Sequence, residues 1–216
     1  MVRFLHRITA VVLLMAWAGS SAADDSDKPI NWRVLDAAKR MDAVQTRSLV
    51  EAGAAVNSRD RNGETPLMLW VKAQDAPMVA WLLQKGADVN QEALSGTTPL
   101  MAAAYAGNID IVRLLLDAGA DLERVDKVSK NAMIYAAAQG HADTVRLFLD
   151  RGVDVNRTYA HGLTALMWAA GYGKTECVKL LLERQARLDL RDDRGKTAAD
   201  IAREQGHKEV VAVLGG

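Results

Sequence analysis

Five side chains are of the types that could carry covalent or metal chemistry: His6, His141, His161, His207 and Cys177. A nucleophilic cysteine needs a base within reach and positive surroundings that lower its pKa. Around Cys177 the sequence supplies Lys174 and Lys179 but no histidine, so the residue is expected to be a small buried hydrophobe. Neither His141 nor His207 has a cysteine or glutamate at metal-ligand spacing, and no H-E-x-x-H occurs. No G-x-S-x-G, P-loop or dinucleotide fingerprint is present. Catalytic residues, cofactor ligands and metal ligands are therefore all expected to be none. Three carboxylates, Asp88, Asp121 and Asp154, could be taken for acid–base groups, but they are evenly spaced, with a period of 33. That spacing suits loop residues that hold a recurring turn. His141 and His207 stand two such periods apart.

The interval belongs to the elements that position these residues. A helix-capping residue precedes an apolar run at Thr65, Thr98, Asn131, Thr164 and Thr197, each one period after the last. Gly53, Gly86, Gly119 and Gly152 form a second series, and Gly107, Gly140, Gly173 and Gly206 a third, with the same spacing. Three independent series on one period identify a repeat protein.

Within each unit the local chemistry predicts two short helices. The Thr or Asn oxygen accepts an orphan N–H of the first turn. Pro66 and Pro99 follow at the first helical position, where a missing N–H does no harm. Alanine runs (102–104, 136–138, 169–170) favour helix with little bulk, so neighbouring helices can approach closely. Gly107, Gly140 and Gly173 are expected to end that helix in the left-handed conformation. The second helix carries Ile109, Ile111, Val112, Leu114, Leu115 and Leu116, a broad face for burial against the next unit. The pattern is broken at Trp70, where other units have Ala, and at Gln74, Ser129 and Gln185, which stand in glycine positions. A left-handed Gln185 would cost about 1 kcal/mol relative to Gly.

The runs T-P-L-M-A-A at 98–103, T-A-L-M-W-A-A at 164–170 and G-A-D-V-N at 86–90 resemble ankyrin repeats. The family's T-P-L-H-x-A pattern is kept as Thr-Pro-Leu at 65–67 and 98–100, while its His is replaced by Met68, Met101, Ile134, Met167 and Asp200. The resemblance implies an all-α fold: an ankyrin-repeat solenoid of stacked helix-turn-helix units, period 33, with hairpin-like turns between them. It places an N-terminal cap repeat at 30–59, full repeats at 60–92, 93–125, 126–158 and 159–191, and a C-terminal cap repeat at 192–216. In the first of these Trp32 takes the Thr position and Met41 the mid-repeat Gly position.

Ahead of the repeats, residues 1–23 have the form of a secretory signal: Arg3, His6 and Arg7, then eleven apolar residues (8–18), then Ser20-Ser21-Ala22-Ala23. A helix of that apolar length would span about 16 Å, short of the ~30 Å hydrocarbon core. Cleavage after Ala22 or Ala23 fits, and residues 24–29 are expected to form a mobile leader into the fold. No cysteine follows the apolar stretch, which argues against a lipoprotein. With the resemblance to exported bacterial ankyrin-repeat proteins, this makes the expected location the periplasm. No stable membrane insertion is expected after cleavage.

The whole chain balances 27 basic against 27 acidic residues, and residues 24–216 balance 25 against 27, a net charge of −2. Such a surface has no footprint for nucleic acid. What remains is protein binding by a chain that is monomeric on its own. In the ankyrin pattern the two residues before the mid-repeat Gly and the turn tips form a concave face. The candidate binding residues there are Leu94, Tyr105, Val128, Tyr159, His161 and Tyr172, an aromatic and uncharged set between charged ends. The expected function is non-enzymatic binding of a periplasmic or envelope protein, which is stabilised, inhibited or localised. An immunity protein that occludes a toxic enzyme, and an enzyme that uses the groove, are the other readings.

Overall fold

The computed structural model describes residues 27–215; the expected signal segment lies outside them. Twelve α-helices run through the described residues as six consecutive pairs: α1 (Ile30–Lys39) with α2 (Ala43–Glu51), α3 (Pro66–Lys72) with α4 (Ala76–Gln84), α5 (Pro99–Ala106) with α6 (Ile109–Asp117), α7 (Ala132–Gln139) with α8 (Ala142–Asp150), α9 (Ala165–Gly171) with α10 (Thr175–Glu183), and α11 (Ala198–Glu204) with α12 (Lys208–Val213). The odd-numbered helices stack on one another in chain order, and from α4 onward so do the even-numbered ones. No helix among the described residues is long and apolar enough to cross a membrane.

Helices of 6 to 10 residues are too short to persist alone, so packing sustains them. Each expected cap is in place: the side chains of Thr65, Thr98, Asn131, Thr164 and Thr197 accept from the backbone N–H three residues on, at 3.1–3.3 Å. Ala103, Ala104, Ala136, Ala137, Ala169, Ala170 and Ala202 are fully buried between stacked helices. Met68, Met101, Ile134 and Met167 fill the family's His position as core residues, at most 2% exposed. Asp200 instead closes a capping box with Thr197. Trp70, in the alanine row, is 2% exposed and its indole N–H finds no acceptor among the described residues.

Gly107, Gly140 and Gly173 have φ of 75°, 90° and 67°, the left-handed form the spacing predicts. Met41, Gln74, Ser129 and Gln185 keep that form without being glycine, at 57–66°. One expectation shifts: α1 begins at Ile30 and is capped by Pro29, so Trp32 lies inside the helix rather than at its cap. The Pro29 carbonyl accepts from both Trp32 and Arg33, which extends this first helix by a turn.

Two devices join successive units. In the first, an asparagine spans the gap between loops: Asn57, Asn90 and Asn156 each donate to the carbonyl 29 residues on (Gly86, Gly119, Gln185) and accept from the N–H 31 residues on. Glu123 holds the corresponding place in the third pair, and there an exposed ion pair with Arg157 replaces the bridge. In the second, turn tips bond to one another: Leu94 N–H to Asn62 O (2.8 Å), Lys127 to Ser95 (3.1 Å) and Asp193 to His161 (3.0 Å). Glycine allows this approach, since a Cβ on Gly63 or Gly96 would come 2.9 or 3.0 Å from the next tip's N–H nitrogen. Where Ser129 replaces that glycine, no backbone bond among the described residues reaches the next tip.

Glu123→Asn should rebuild the missing bridge. Two hydrogen bonds of about 0.5–1.5 kcal/mol each outweigh an exposed ion pair worth about 0–1 kcal/mol. The expected gain in unfolding free energy is about 1 kcal/mol, read from the urea midpoint; an unchanged midpoint would show that the loops of the third and fourth pairs stand too far apart to be bridged.

Candidate functional site

The turn tips and the solvent-facing sides of the odd helices form one continuous surface. Its middle is built from three successive units with the same helical phase. Tyr135 and Trp168 sit four residues after the capping Asn131 and Thr164; Tyr105 sits seven after Thr98 and Tyr172 eight after Thr164. Residues three or four apart share a helix face, so all four rings emerge on the same side of the stack. Tyr105 and Tyr135 meet edge to face with centroids 6.0 Å apart across α5 and α7. Trp168 and Tyr172 stack with centroids 5.9 Å apart and planes inclined by 16°. Between the two pairs lies Lys130, its ammonium 4.4 Å from the Trp168 ring centroid and 5.8 Å from that of Tyr135.

The electrostatics of the centre follow from Asp126. One carboxylate oxygen accepts from the N–H groups of Val128 and Lys130, both at 2.9 Å, and the other accepts from the Tyr135 hydroxyl at 2.5 Å. The carboxyl group is thereby turned into the fold, and the residue is 8% exposed. Burial, reinforced by the hydrogen bond to Asp126, raises the Tyr135 pKa, so the phenol stays a donor. Towards the ends of the surface the charges are paired: Lys72 with Glu64, and Lys196 with Glu204 at 2.6 Å.

Two open hollows flank Lys130. One, of about 520 Å³, lies along α5, between the end of α3 (Lys72, with Gln74 just beyond it) and Tyr135 of α7, and its floor is Met101, Ala102 and Tyr105. The other, of about 510 Å³, lies between α9 and α11 and is lined by Trp168, Tyr172, Ile201, Arg194 and His207. Gly171 at the floor of the second admits the close packing of α11, because a Cβ there would meet Ile201 Cγ2 at 3.0 Å.

Of the residues singled out from the sequence, Leu94, Tyr105, Val128 and Tyr172 stand on this surface and are 52–65% exposed. His161 is at an exposed tip, with φ of 61° and its Nδ1 3.7 Å from Asp193. Tyr159 differs from the rest. Its ring is half-buried and its hydroxyl accepts from Asn131 Nδ2 at 3.2 Å, while Asn131 Oδ1 caps α7. Tyr159 thus braces a helix start instead of offering a free ring. Tyr135, Trp168 and Lys130 were missed by reading only the two residues before each mid-unit glycine; an i−3 step along the same helix face finds the two rings.

The chemistry-bearing residues are otherwise engaged. Cys177 is fully buried in α10, and burial pushes its thiol up to about 11, against a lowering by Lys174. The His141 and His207 Nε2 atoms lie 2.9 and 3.1 Å from the carbonyls of Tyr105 and Gly171, so each clasps the C-terminal end of the preceding unit's first helix. Asp88, Asp121 and Asp154 each accept from the N–H two residues on. Among the described residues no group of three or more His, Cys, Asp or Glu could hold a metal ion. The arrangement offers anchors, hollows and a central cation seated among the rings, Lys130, which are the elements of a binding surface.

The sequence pattern described as Ankyrin repeats (3 copies) matches residues 34–126, 89–159 and 133–215. Among solved structures, the ankyrin repeat protein EF0377 is similar, with a TM-score of 0.77 and 31% identity over 85% of this chain and 96% of that one. An ankyrin repeat domain from Acinetobacter baumannii is similar too, with a TM-score of 0.75 and 31% identity over 85% and 96% of the two chains. No curated protein matches significantly.

Proposed function

Since the chain belongs to the ankyrin-repeat family, whose repeats are protein-interaction modules, we propose that it binds a protein of the periplasm or cell envelope through the surface of its turn tips and odd helices, and so stabilises, inhibits or localises that protein. The observation that carries this reading is the file of aromatic rings Tyr105, Tyr135, Trp168 and Tyr172 over three units, with the one nearby acid, Asp126, turned inward. Clustered aromatic anchors surrounded by a polar rim are what protein interfaces use. A stack already folded loses little ordering entropy when it docks. Binding only the folded form of a partner would stabilise it by mass action. The proposed location rests on Arg3, Arg7, the apolar run 8–18 and the small residues at 20–23.

The test is site-specific photocrosslinking in living cells. The crosslinker replaces Tyr105 or Tyr172, with Lys179 on α10 as the control position, and products are identified by mass spectrometry. One dominant envelope protein captured from both tyrosine positions and not from the control is the expected result. Diffuse products from all three positions would overturn the binding surface, and cytoplasmic products alone would overturn the location.

A further inference from the structure

We infer that the segment of the partner seated on this surface carries an aspartate or glutamate flanked on both sides by large apolar side chains. The inference rests on the binding reading above and adds the chemistry of the partner. Lys127 and Lys130 occupy the middle turn, and no carboxylate among the described residues lies within ion-pair distance of either. Asp126, the one acid in that turn, has both oxygens occupied from the inside, by two backbone N–H groups and the Tyr135 hydroxyl. Two cations against one inward carboxylate leave the centre of the face positive, whereas towards its ends Lys72, Lys196 and Arg194 are matched by Glu64, Glu204 and Asp192. Lys130 is also held in place: its ammonium rests over Trp168 on one side and towards Tyr135 on the other. Ring faces take up the charge but supply no lone-pair acceptor, so the N–H donors remain open to a carboxylate. Hollows with largely apolar floors lie on either side, one along α5 between the end of α3 and Tyr135 (Met101, Ala102, Tyr105) and one between α9 and α11 (Met167, Trp168, Ile201). A side chain entering each, with an acid between them over Lys130, satisfies charge and shape together.

The experiment selects random peptides displayed on phage against the full chain and then measures the enriched sequences as synthetic peptides. The wild-type protein should enrich peptides with an acid between large apolar residues. Lys130→Glu should weaken those peptides by about tenfold or more, equivalent to ~1.4 kcal/mol, and should itself enrich Lys- or Arg-centred peptides. Lys130→Gln should abolish most of the salt dependence of binding while the thermal melt stays that of the wild type. Peptides that Trp168→Ala releases but that carry no acid and ignore Lys130→Glu would overturn the inference and leave the binding surface standing. Peptides indifferent to both substitutions, or no enrichment over a blank surface, would overturn the surface itself and the inference with it.

Discussion

Phe148→Ala should lower the unfolding free energy by about 3–5 kcal/mol, the range for emptying a fully buried aromatic site. Phe148 is completely buried in α8 and stands in the row occupied by Leu82, Leu115 and Leu181 in the neighbouring pairs. A stacked-repeat protein gains stability from each unit and from contacts with its immediate neighbours only, so a cavity in the fourth pair has few other elements to collapse onto it. Each of the two joints beside that pair also lacks one device: there is no asparagine bridge at Glu123, and no tip bond past Ser129. The loss should therefore do more than shift the urea curve. It should split it, with the first three pairs and the last two unfolding at separate midpoints. Trp70 and Trp81 in α3 and α4 report on one side and Trp168 in α9 on the other, so single-tryptophan variants followed by fluorescence would resolve the two. Phe148→Leu restores the residue of the row and should cost only about 1 kcal/mol with a single transition. One undivided transition in Phe148→Ala would show that the fourth pair couples its neighbours as strongly as the other pairs do.

The stack was legible because its determinants are local and recur. A capping oxygen, an N1 proline, an alanine run and a left-handed glycine each act within a few residues, and a period of 33 repeats the message five times at Thr65, Thr98, Asn131, Thr164 and Thr197. Register even carried the departures, since Gln74, Ser129 and Gln185 hold the glycine conformation without glycine. What lay beyond reach depends on contacts between units. Tyr159 looked like a free aromatic tip, but its direction is set by the altered turn with His161 at φ 61° and by Asn131 lying 28 residues earlier. Glu123 gave no sign of a broken joint until Asn57, Asn90 and Asn156 were seen spanning 29 and 31 residues. Trp168 and Tyr135 are concealed in the sequence because they sit inside a core run, where Met167, Ala169, Ile134 and Ala136 are all buried. Only the helix phase separates them from that run.

Trp168→Ala should weaken the captured partner's affinity by about 30-fold or more, the ~2 kcal/mol or greater expected of a central tryptophan anchor. Three interactions meet on this one ring: the stack with Tyr172, the platform under Lys130 and a wall of the hollow between α9 and α11. Its removal would leave Tyr172 without its partner ring and Lys130 free to turn into solvent, so the loss exceeds that of the contact area alone. The same dependence predicts non-additivity. Lys130→Ala should cost much less in the Trp168→Ala background than in the wild type, with a coupling of about 0.5–3 kcal/mol. Trp168→Phe separates anchoring from folding, because it keeps a ring in the site and deletes an indole N–H that has no acceptor among the described residues. That variant should keep the wild-type melt and most of the affinity. Calorimetric titration against the crosslinked partner measures the wild type and all four variants under one set of conditions. An affinity within twofold of wild type in Trp168→Ala would move the interface off the middle units altogether. A loss matched in Trp168→Phe would mean that the full indole area, and not merely an aromatic ring in the site, is what the partner needs.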